Sequence, residues 1–468
     1  MWQFKRVLSL FTVAITSAGT TAIAAAPDYD KSGQEAADLL SHYLQIDTTN
    51  PPGNERLGAQ YLADILKKNG IDAQVFPTGQ PNRACCYARL QGSGKKKAIV
   101  LLNHIDVVPV QAKDWKYPPF KGEVHDGELW GRGALDMKNV GIMELEAMLM
   151  LKRNNIKLDR DIIFVATPDE EEGADQGAKW FKEHKADLVK DAEFLINEGA
   201  NIEADSSGKT LYWGVDVAEK SVLWLQIKAT GHAGHGSMPL PDAAPNKLVR
   251  ALTRLVDAPV QFTILPVVQQ YFREIADQAP PELRDAYKDL AAATKDPQMV
   301  KLLLEDHLKS AMLRNTVSLT ELKAGYKTNV IPGEATAQLD CRLLPDVKPD
   351  QFIAEIRKIL DDPSLEVSTL EWEHAMPSSA DTELFRAIQA VAATEKPAVP
   401  VVPLVVGWFT DSHWFRELGI TSYGWEPVEC DPEHLGTVHG INERIPLVGL
   451  SNSVRRCYQV LLKLAAAQ

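Results

Sequence analysis

The stretch "FVATPDEEEGAD", residues 164–175, joins an apolar run to four consecutive acidic side chains. The apolar run, residues 161–167, has the length and composition of a buried strand. Adjacent carboxylates repel one another and raise each other's pKa, so something must offset that cost. A nearby divalent cation would stabilise them as anions, and a turn immersed in water is the alternative. The stretch therefore predicts a buried strand that ends in a metal site or in a solvated acidic turn.

Strands and helices alternate on both sides of this stretch. Strands are predicted at residues 98–102 and 193–196, and helices at residues 139–154 and about 177–184. This alternation is typical of the α/β class, in which helices cover both faces of a sheet. Open sheets of this kind bind ligands beyond the carboxyl ends of their strands.

The pattern changes near residue 218, where residues 220–231 alternate like a half-exposed strand. Further strands and helices follow, and residues 280–314 are rich in helix formers. Antiparallel strands with helices on one side indicate a two-layer α+β unit. We therefore predict a catalytic α/β domain, residues 25–218 and 376–468, interrupted by an inserted domain, residues 219–375.

Bulk composition limits the class of protein. The chain has 468 residues, a formal net charge of −13 and a pI of about 5.4. Nucleic-acid-binding proteins usually carry a basic surface, so no nucleic-acid partner is expected.

The first residues are typical of an export signal. Lys5 and Arg6 precede an apolar run at residues 7–13, and Ala22-Ile23-Ala24 fits a signal-peptidase site. An N-terminal membrane anchor is the alternative, although the run is short for a span. We predict that residues 1–24 are a signal peptide, that the mature protein is periplasmic or secreted, and that it keeps no stable membrane span.

The five cysteines show no spacing typical of a structural zinc site. Export would permit disulfides, and an odd number leaves at least one thiol unpaired if every bridge is internal. Cys341 and Cys457 are predicted to be small buried hydrophobic residues.

Several residues with metal-binding side chains end or follow predicted strands. His104 and Asp106 lie two apart and so point to the same side of an extended chain, where a carboxylate can orient a histidine ligand. Each candidate has a plainer interpretation when taken alone, such as a helix N-cap for Asp136. The candidate ligands are His104, Asp136, Glu171, Glu198 and His439.

Such a set of nitrogen and oxygen ligands suits zinc, with cobalt or manganese as alternatives. A carboxylate shared between two ions is the usual bridge of a two-metal hydrolase. Neighbouring glutamates could divide the work, one binding metal and the other moving protons.

Five motifs occur in an order that resembles the aminoacylase/carboxypeptidase/succinyl-diaminopimelate desuccinylase family of co-catalytic zinc exopeptidases. The resemblance covers nearly the whole chain after the signal. The motifs are His104-x-Asp106, Gly131-Arg-Gly-x-x-Asp136, Asp169-Glu-Glu-x-Gly173, Asn197-Glu198-Gly and His439-Gly-Ile-Asn-Glu443.

The resemblance implies two zinc ions per chain. His104, Asp136 and Glu198 would bind one ion, and Asp136, Glu171 and His439 the other, with Asp136 bridging. Asp106 would orient His104, and Glu170 would be the general base and later the general acid. Asp169 and Glu172 are expected to belong to the loop or to surround the ligands without binding metal.

The resemblance also implies a mixed sheet flanked by helices in the catalytic domain. It implies that the inserted domain, which carries further matches, is a lid and dimerisation domain. In the family, the histidine at the position of His235 often reaches across a dimer interface to stabilise the developing oxyanion. Asn329 and Arg342 become candidate substrate contacts, although Arg342 could instead be structural. His413 departs from the family, which commonly has an arginine there, so a substrate contact at this position would be reshaped or pH-dependent.

The sequence predicts a metal-dependent amide hydrolase that releases an amino acid from a small peptide, and the predicted export favours this substrate. Hydrolysis of N-acyl amino acids is the alternative. A binding protein without activity would need no free base such as Glu170. A serine hydrolase built on Ser237 lacks the strand–turn–helix context of a nucleophile.

Overall fold

The computed structural model of the protein describes residues 27–467. The predicted signal peptide, residues 1–24, lies outside the described residues. Up to residue 219 the helices and strands are, in chain order, α1 (Tyr29–Leu44), α2 (Glu55–Lys68), β1 (Ala73–Pro77), β2 (Ala84–Leu90), β3 (Ala98–His104), β4 (Glu123–His125), β5 (Glu128–Trp130), α3 (Lys138–Arg153), β6 (Ile162–Thr167), α4 (Ala178–Lys185), β7 (Ala192–Ala204) and β8 (Thr210–Glu219).

The middle of the chain contains most of the short helices. Its elements are β9 (Ser221–Thr230), β10 (Gly234–His235), α5 (Ala244–Val256), α6 (Pro266–Ile275), α7 (Arg284–Lys288), α8 (Leu290–Ala293), α9 (Pro297–Glu305), α10 (His307–Ala311), β11 (Thr316–Ala324), β12 (Val330–Ile331), β13 (Glu334–Leu343), α11 (Pro349–Leu360) and β14 (Glu366–Glu373). The last elements are α12 (Glu383–Ala392), β15 (Val401–Val406), α13 (Ser412–Arg416), β16 (Thr421–Cys430), α14 (Pro432–Leu435), β17 (Arg444–Pro446) and α15 (Leu447–Ala465).

The largest sheet has eight strands in the order β1-β2-β6-β3-β7-β16-β8-β15. It is mixed, because β3 runs parallel to β6 and β7 whereas β2 runs antiparallel to β6. The central strands β3 and β6 are buried along their whole length, as expected for strands covered by helices on both faces. Helices α1, α3 and α15 pack against one another over one face. The predicted α/β class is confirmed.

A second sheet orders its strands β11-β13-β9-β14, all antiparallel. Alternate residues of β9, among them Leu223, Leu225 and Ile227, pack against Leu248 of α5 and Phe352 of α11. This is a two-layer α+β unit inside residues 219–375, which we call the lid.

Residues 262–313, which include α6–α10, form a third unit that we call the helical segment. Its ends meet where the Thr263 amide donates to the Leu313 carbonyl over 2.8 Å. Its apolar core residues, including Tyr271 and Phe272, pack against Val402 and other residues of β15 at the edge of the large sheet. The predicted inserted domain thus contains two packing units, only one of which is built on the lid sheet.

All five cysteines are buried and free, including Cys341 and Cys457. Within residues 27–467, no helix combines the length and apolarity that a membrane span requires.

Candidate active site

Five candidate ligands converge beside one edge of the large sheet, and we call them the ligand cluster: His104, Asp136, Glu171, Glu198 and His439. His104 ends β3, and Glu171 lies in the short 3-10 turn, Glu170–Glu172, that follows β6. Because β3 and β6 are parallel neighbours paired at His104 and Thr167, their carboxyl ends bring these two side chains together.

Asp136 stands at the centre of the ligand cluster with its two oxygens facing different partners. Oδ1 lies 3.1 Å from His104 Nε2, which is itself 3.8 Å from Glu198 Oε1. Oδ2 lies 2.9 Å from His439 Nε2, which is 3.2 Å from Glu171 Oε2. The cluster therefore forms two ligand sets that share one carboxylate.

Proton affinities in the ligand cluster reflect this crowding. Burial alone would raise the pKa of Asp136, but hydrogen bonds from both histidines lower it. The hydrogen bonds to Asp136 and Glu171 raise the pKa of His439 to about 10. Burial opposes protonation of His104, yet the neighbouring carboxylates, Glu198 foremost, raise its pKa well above 6.5. Positive charge is thus strongly favoured at this position.

Asp106 contacts His104 mainly through its backbone. His104 Nδ1 is 3.0 Å from the Asp106 carbonyl and 3.5 Å from its carboxylate. The carboxylate instead accepts hydrogen bonds of 3.1 Å from the backbone amides of both Glu170 and Glu171, and of 2.8 Å from Asn50 Nδ2. The structure thus gives Asp106 a second task beside orienting His104, namely positioning the turn that carries the two glutamates.

The four acidic residues 169–172 have different surroundings. Asp169 is buried, pairs with the guanidinium of Arg83, and accepts a 3.1 Å hydrogen bond from Asn50 Nδ2. Glu171 joins the ligand cluster, and Glu172 is exposed. The sequence therefore combines a buried ion pair, a ligand and a solvated acid in one turn.

Glu170 lies against the ligand cluster, with one ligand atom each from Glu170, His104 and Glu198 within 4.8 Å of one another. Burial, reinforced by the charge of Glu198, raises the pKa of Glu170 well above 4.5. A carboxylate whose proton affinity is raised in this way is suited to accept and return a proton near neutral pH.

Glu443 supports the loop that carries Asp136. Its buried carboxylate accepts hydrogen bonds from the backbone amides of Gly133, Leu135 and Asp136, over 2.7 to 3.1 Å, and pairs with Arg132 Nη1 at 2.7 Å. This fixed backbone sets where the shared carboxylate points.

The residues present fit a site for divalent cations. Two histidine nitrogens and three carboxylates form the donor set that zinc, cobalt and manganese accept. Glu171 Oε1 is buried without a hydrogen-bond partner, although it belongs to this crowded acidic site. A cation would provide the missing partner and offset the repulsion.

A cavity of about 500 Å³ opens beside the ligand cluster, within the usual size range of small-molecule sites. Asp136, Glu170, Glu171, Glu198 and His439 line one end of it. The rest is lined mainly by apolar side chains, many of them from β15, the residues after it and the helical segment. The polar residues of this part are Asn201, Glu203, Lys309, Thr410 and Glu426.

The sequence model of peptidase family M20/M25/M40 matches residues 100–467. The chain belongs to this family. It is 28% identical over 375 residues to a probable carboxypeptidase S-like 2 of Dictyostelium discoideum, covering 78% of this chain and 71% of the relative. It is 31% identical over 355 residues to the N-fatty-acyl-amino acid synthase/hydrolase PM20D1 of Xenopus tropicalis, covering 74% and 68%.

The fold agrees with solved structures of the M20 family. The M20 family metallo-carboxypeptidase Sso-CP2 from Sulfolobus solfataricus superposes with a TM-score of 0.71 at 20% identity, covering 92% of this chain and 99% of that chain. The family predicted from the five motifs is confirmed. As an M20 family member, the protein is a metal-dependent hydrolase that acts on peptide or other amide bonds.

The lid candidates of this M20 family protein lie apart from the ligand cluster. His235 and Asn329 are exposed and close together, since the Gly236 amide donates to the Asn329 carbonyl over 2.8 Å. Arg342 is engaged by Asp340, with Nε 2.8 Å from Oδ1. None of the three lines the cavity beside the ligand cluster.

His413 is placed differently from the predicted substrate contact. Its side chain is fully buried, and neither ring nitrogen has a hydrogen-bond partner. Glu373 and Glu417 approach Nε2 to 3.6 and 3.5 Å. The reason is that α13 packs this residue inward, against Phe409 and the neighbouring Trp414. In this structure His413 belongs to the core and does not line the cavity.

Burial of His413 has a consequence for stability at low pH. Burial lowers the pKa of His413 from 6.5 to about 4, with Glu417 opposing the shift and Lys182, Arg416 and His374 adding to it. The unfolded chain therefore binds more protons between these two values, and the stability due to the neutral ring is lost as pH falls from 6.5 towards 4.

We therefore expect acidification from about pH 7 to about pH 5 to cost the wild type about 2 kcal/mol more than it costs His413→Phe. Urea unfolding at both pH values measures this difference. Equal pH dependence in the two proteins would show that the imidazole is not held neutral.

Sequence reasoning missed several residues that support the site. The ion pair between Arg83 and Asp169 could not be predicted, because nothing in the sequence around Arg83 indicates its partner. Asn50 precedes two prolines in a predicted loop, where a buried polar role is not visible. Glu443 ends the motif that begins at His439, but the motif alone does not predict that its carboxylate supports the Asp136 loop. The buried Glu426, which accepts from the Gly199 amide at 3.2 Å and lines the cavity, was missed as well.

Proposed function

We propose that the protein is a hydrolase that binds two zinc ions, with cobalt or manganese as alternatives, and releases an amino acid from an N-acyl amino acid. The observation that carries this proposal is the position of Asp136. Its two oxygens face two separate ligand sets, with Glu170 beside them. This arrangement supports a pair of cations rather than a single one.

The chain's own residues have distinct tasks in this reaction. Bound cations would polarise the scissile carbonyl and make water more acidic. Glu170 takes a proton from the attacking water and then returns it to the nitrogen of the leaving amino acid. The Asp106 carboxylate accepts a hydrogen bond from the Glu170 backbone amide and so keeps Glu170 in place. The Glu443 carboxylate does the same for the loop that carries Asp136.

The lining of the cavity supports this substrate class. The amide groups of a longer peptide need hydrogen-bond partners when they leave water. Beyond the ligand cluster, the cavity offers mainly apolar side chains. An acyl group with a hydrocarbon chain meets this requirement better, and a relative named N-fatty-acyl-amino acid synthase/hydrolase supports it.

Small peptides remain the second candidate substrate. The likeness to a probable carboxypeptidase S-like protein and to a metallo-carboxypeptidase favours them. A dipeptide would place a single side chain in the apolar cavity and its polar groups near the ligand cluster.

A substrate panel tests the proposal and separates the two candidates. We expect the purified protein to release free amino acid from N-acyl amino acids, to stop after chelation, and to recover with zinc, cobalt or manganese. Metal analysis of the restored protein should give about two equivalents of the added cation. Release from dipeptides alone would replace the first candidate by the second, and release that survives complete chelation would contradict both.

We also propose that the protein is exported and forms a homodimer through the lid. The charge pattern of residues 1–24 supports export, and the exposure of His235, away from its own ligand cluster, supports a role towards a second chain. Cell fractionation and light scattering of the purified protein measure these two properties. A cytoplasmic protein or a monomer would contradict the corresponding part.

A further inference from the structure

The apolar cavity beside the ligand cluster owes one of its walls to the helical segment. Leu308, Ala311 and Met312, at and after α10, face the cavity from one side. Leu404, Val406 and Trp408, in and after β15, line it as well. Without residues 262–313 this part of the cavity would be open to solvent along β15.

The cavity is continuous with the ligand cluster along β7. Glu198 is a candidate ligand, and Gly199 and Ala200 after it line the same cavity. Ala200 is already part of the apolar core shared by the helical segment and β15. A chain attached to a carbonyl at the ligand cluster can therefore extend directly along this wall.

The cavity adjoins a second one at a small group of side chains that line both. Glu203, Tyr212 and Lys309 line the first cavity and also a second one of about 360 Å³ within the helical segment. Tyr212 is buried and its hydroxyl lies 3.0 Å from that of Tyr271. The Tyr212 ring thus stands where the two cavities adjoin.

We propose that the helical segment forms a channel for the acyl chain of the substrate and sets the chain length that the enzyme accepts. Met312 narrows the channel from the side of the helical segment, and Tyr212 limits its length. This inference rests on the proposed release of an amino acid from an N-acyl amino acid.

The chemistry of the walls defines the ligand. Each methylene buried in the channel strengthens binding by roughly fourfold, until the chain reaches Tyr212. Polar groups lose binding free energy where they contact Leu404, Val406 and Met312, because these three wall residues offer no hydrogen bonds and desolvation is then uncompensated. We therefore expect a strong preference for long unbranched acyl chains over acetyl on the same amino acid.

The test compares kcat/KM for N-acetyl, N-hexanoyl and N-dodecanoyl derivatives of one amino acid. In Met312→Trp the added ring fills the channel, and the ratio of dodecanoyl to acetyl should fall about tenfold or more. His307→Trp is the matched control, since it adds the same ring five residues earlier, at an exposed position of α10 that lines neither cavity. It should leave the ratio unchanged.

Tyr212→Ala tests the other end of the channel. Removing the ring joins the two cavities, so the preferred acyl chain should become longer than in the wild type. Tyr212→Phe keeps the ring and should keep the preferred length. The prediction for Met312→Trp stands by itself if Tyr212→Ala does not fold.

A binding measurement separates this inference from the proposed function. Calorimetry with the Glu170→Gln variant should show tighter binding of the dodecanoyl than of the acetyl derivative, and Met312→Trp should remove the difference. Hydrolysis of the acetyl derivative with no chain-length preference would overturn the channel alone. Tight, chain-length-dependent binding with no hydrolysis by the wild type would overturn the proposed function alone. If Met312→Trp instead changed the preference for the amino acid part of the substrate, the placement of the acyl chain in this channel would be overturned.

Discussion

Glu170→Gln should lower kcat by about a thousandfold while the protein keeps its full content of bound metal. Glutamine has nearly the same shape as glutamate but cannot accept the proton of the attacking water. The hydrogen bond from the residue 170 amide to Asp106 is made by the backbone and survives the substitution. Steady-state kinetics together with metal analysis of the same preparation measures both quantities.

Glu172→Gln is the matched control for this variant. It makes the same chemical change two residues further along the turn, at an exposed side chain outside the ligand cluster. Its activity should equal that of the wild type. A Glu170→Gln protein that loses metal in proportion to activity would mean that Glu170 is a ligand and that another group moves the proton.

Arg83→Met should reduce the free energy of unfolding by about 3–5 kcal/mol. Arg83 is buried and binds the carboxylate of Asp169, and its Nη1 lies 3.2 Å from Glu55 Oε1. Methionine fills much of the volume but leaves Asp169 charged, buried and short of its main partner. Urea unfolding of the metal-free protein measures the change without a contribution from bound cations.

The double variant Arg83→Met with Asp169→Asn should recover part of that loss, because the uncompensated charge is then removed. Arg89→Met provides the comparison at a partly exposed position, where Arg89 pairs with Asp161 and Asp191. It should cost clearly less than Arg83→Met. A cost for Arg83→Met as small as that for Arg89→Met would show that the buried pair contributes little.

The ligand cluster was predictable because most of its residues directly end or follow apolar strands, a pattern that is visible in the local sequence. His104 ends a strand of apolar residues, Glu171 follows another, and parallel strands deliver such side chains to one edge. His439 was predicted as a ligand from the order of the motifs, because nothing in its neighbouring sequence indicates a metal site. The structure brings these residues together as the sequence indicated, and Asp136 takes the central place.

The helical segment could not be placed from the sequence. Its residues were recognised as helix formers, and their apolar faces require some partner surface. That partner surface, which includes Val402 and Leu404, lies about a hundred residues later in the chain. The sequence of β15 does not indicate which helices will pack against it. The same limit applies to His413, since a histidine pattern does not show that α13 turns the ring inward.

The order in which the site is assembled follows from where its residues lie in the chain. His104 to Glu198 precede the lid and the helical segment, whereas His439 and the supporting Glu443 lie close to the last helix, α15. The ribosome therefore synthesises one candidate ligand set, His104, Asp136 and Glu198, long before His439, which completes the other. Since segments of a large protein fold in the order of synthesis, the nascent chain holds an unfinished hydrolase until its final helix emerges.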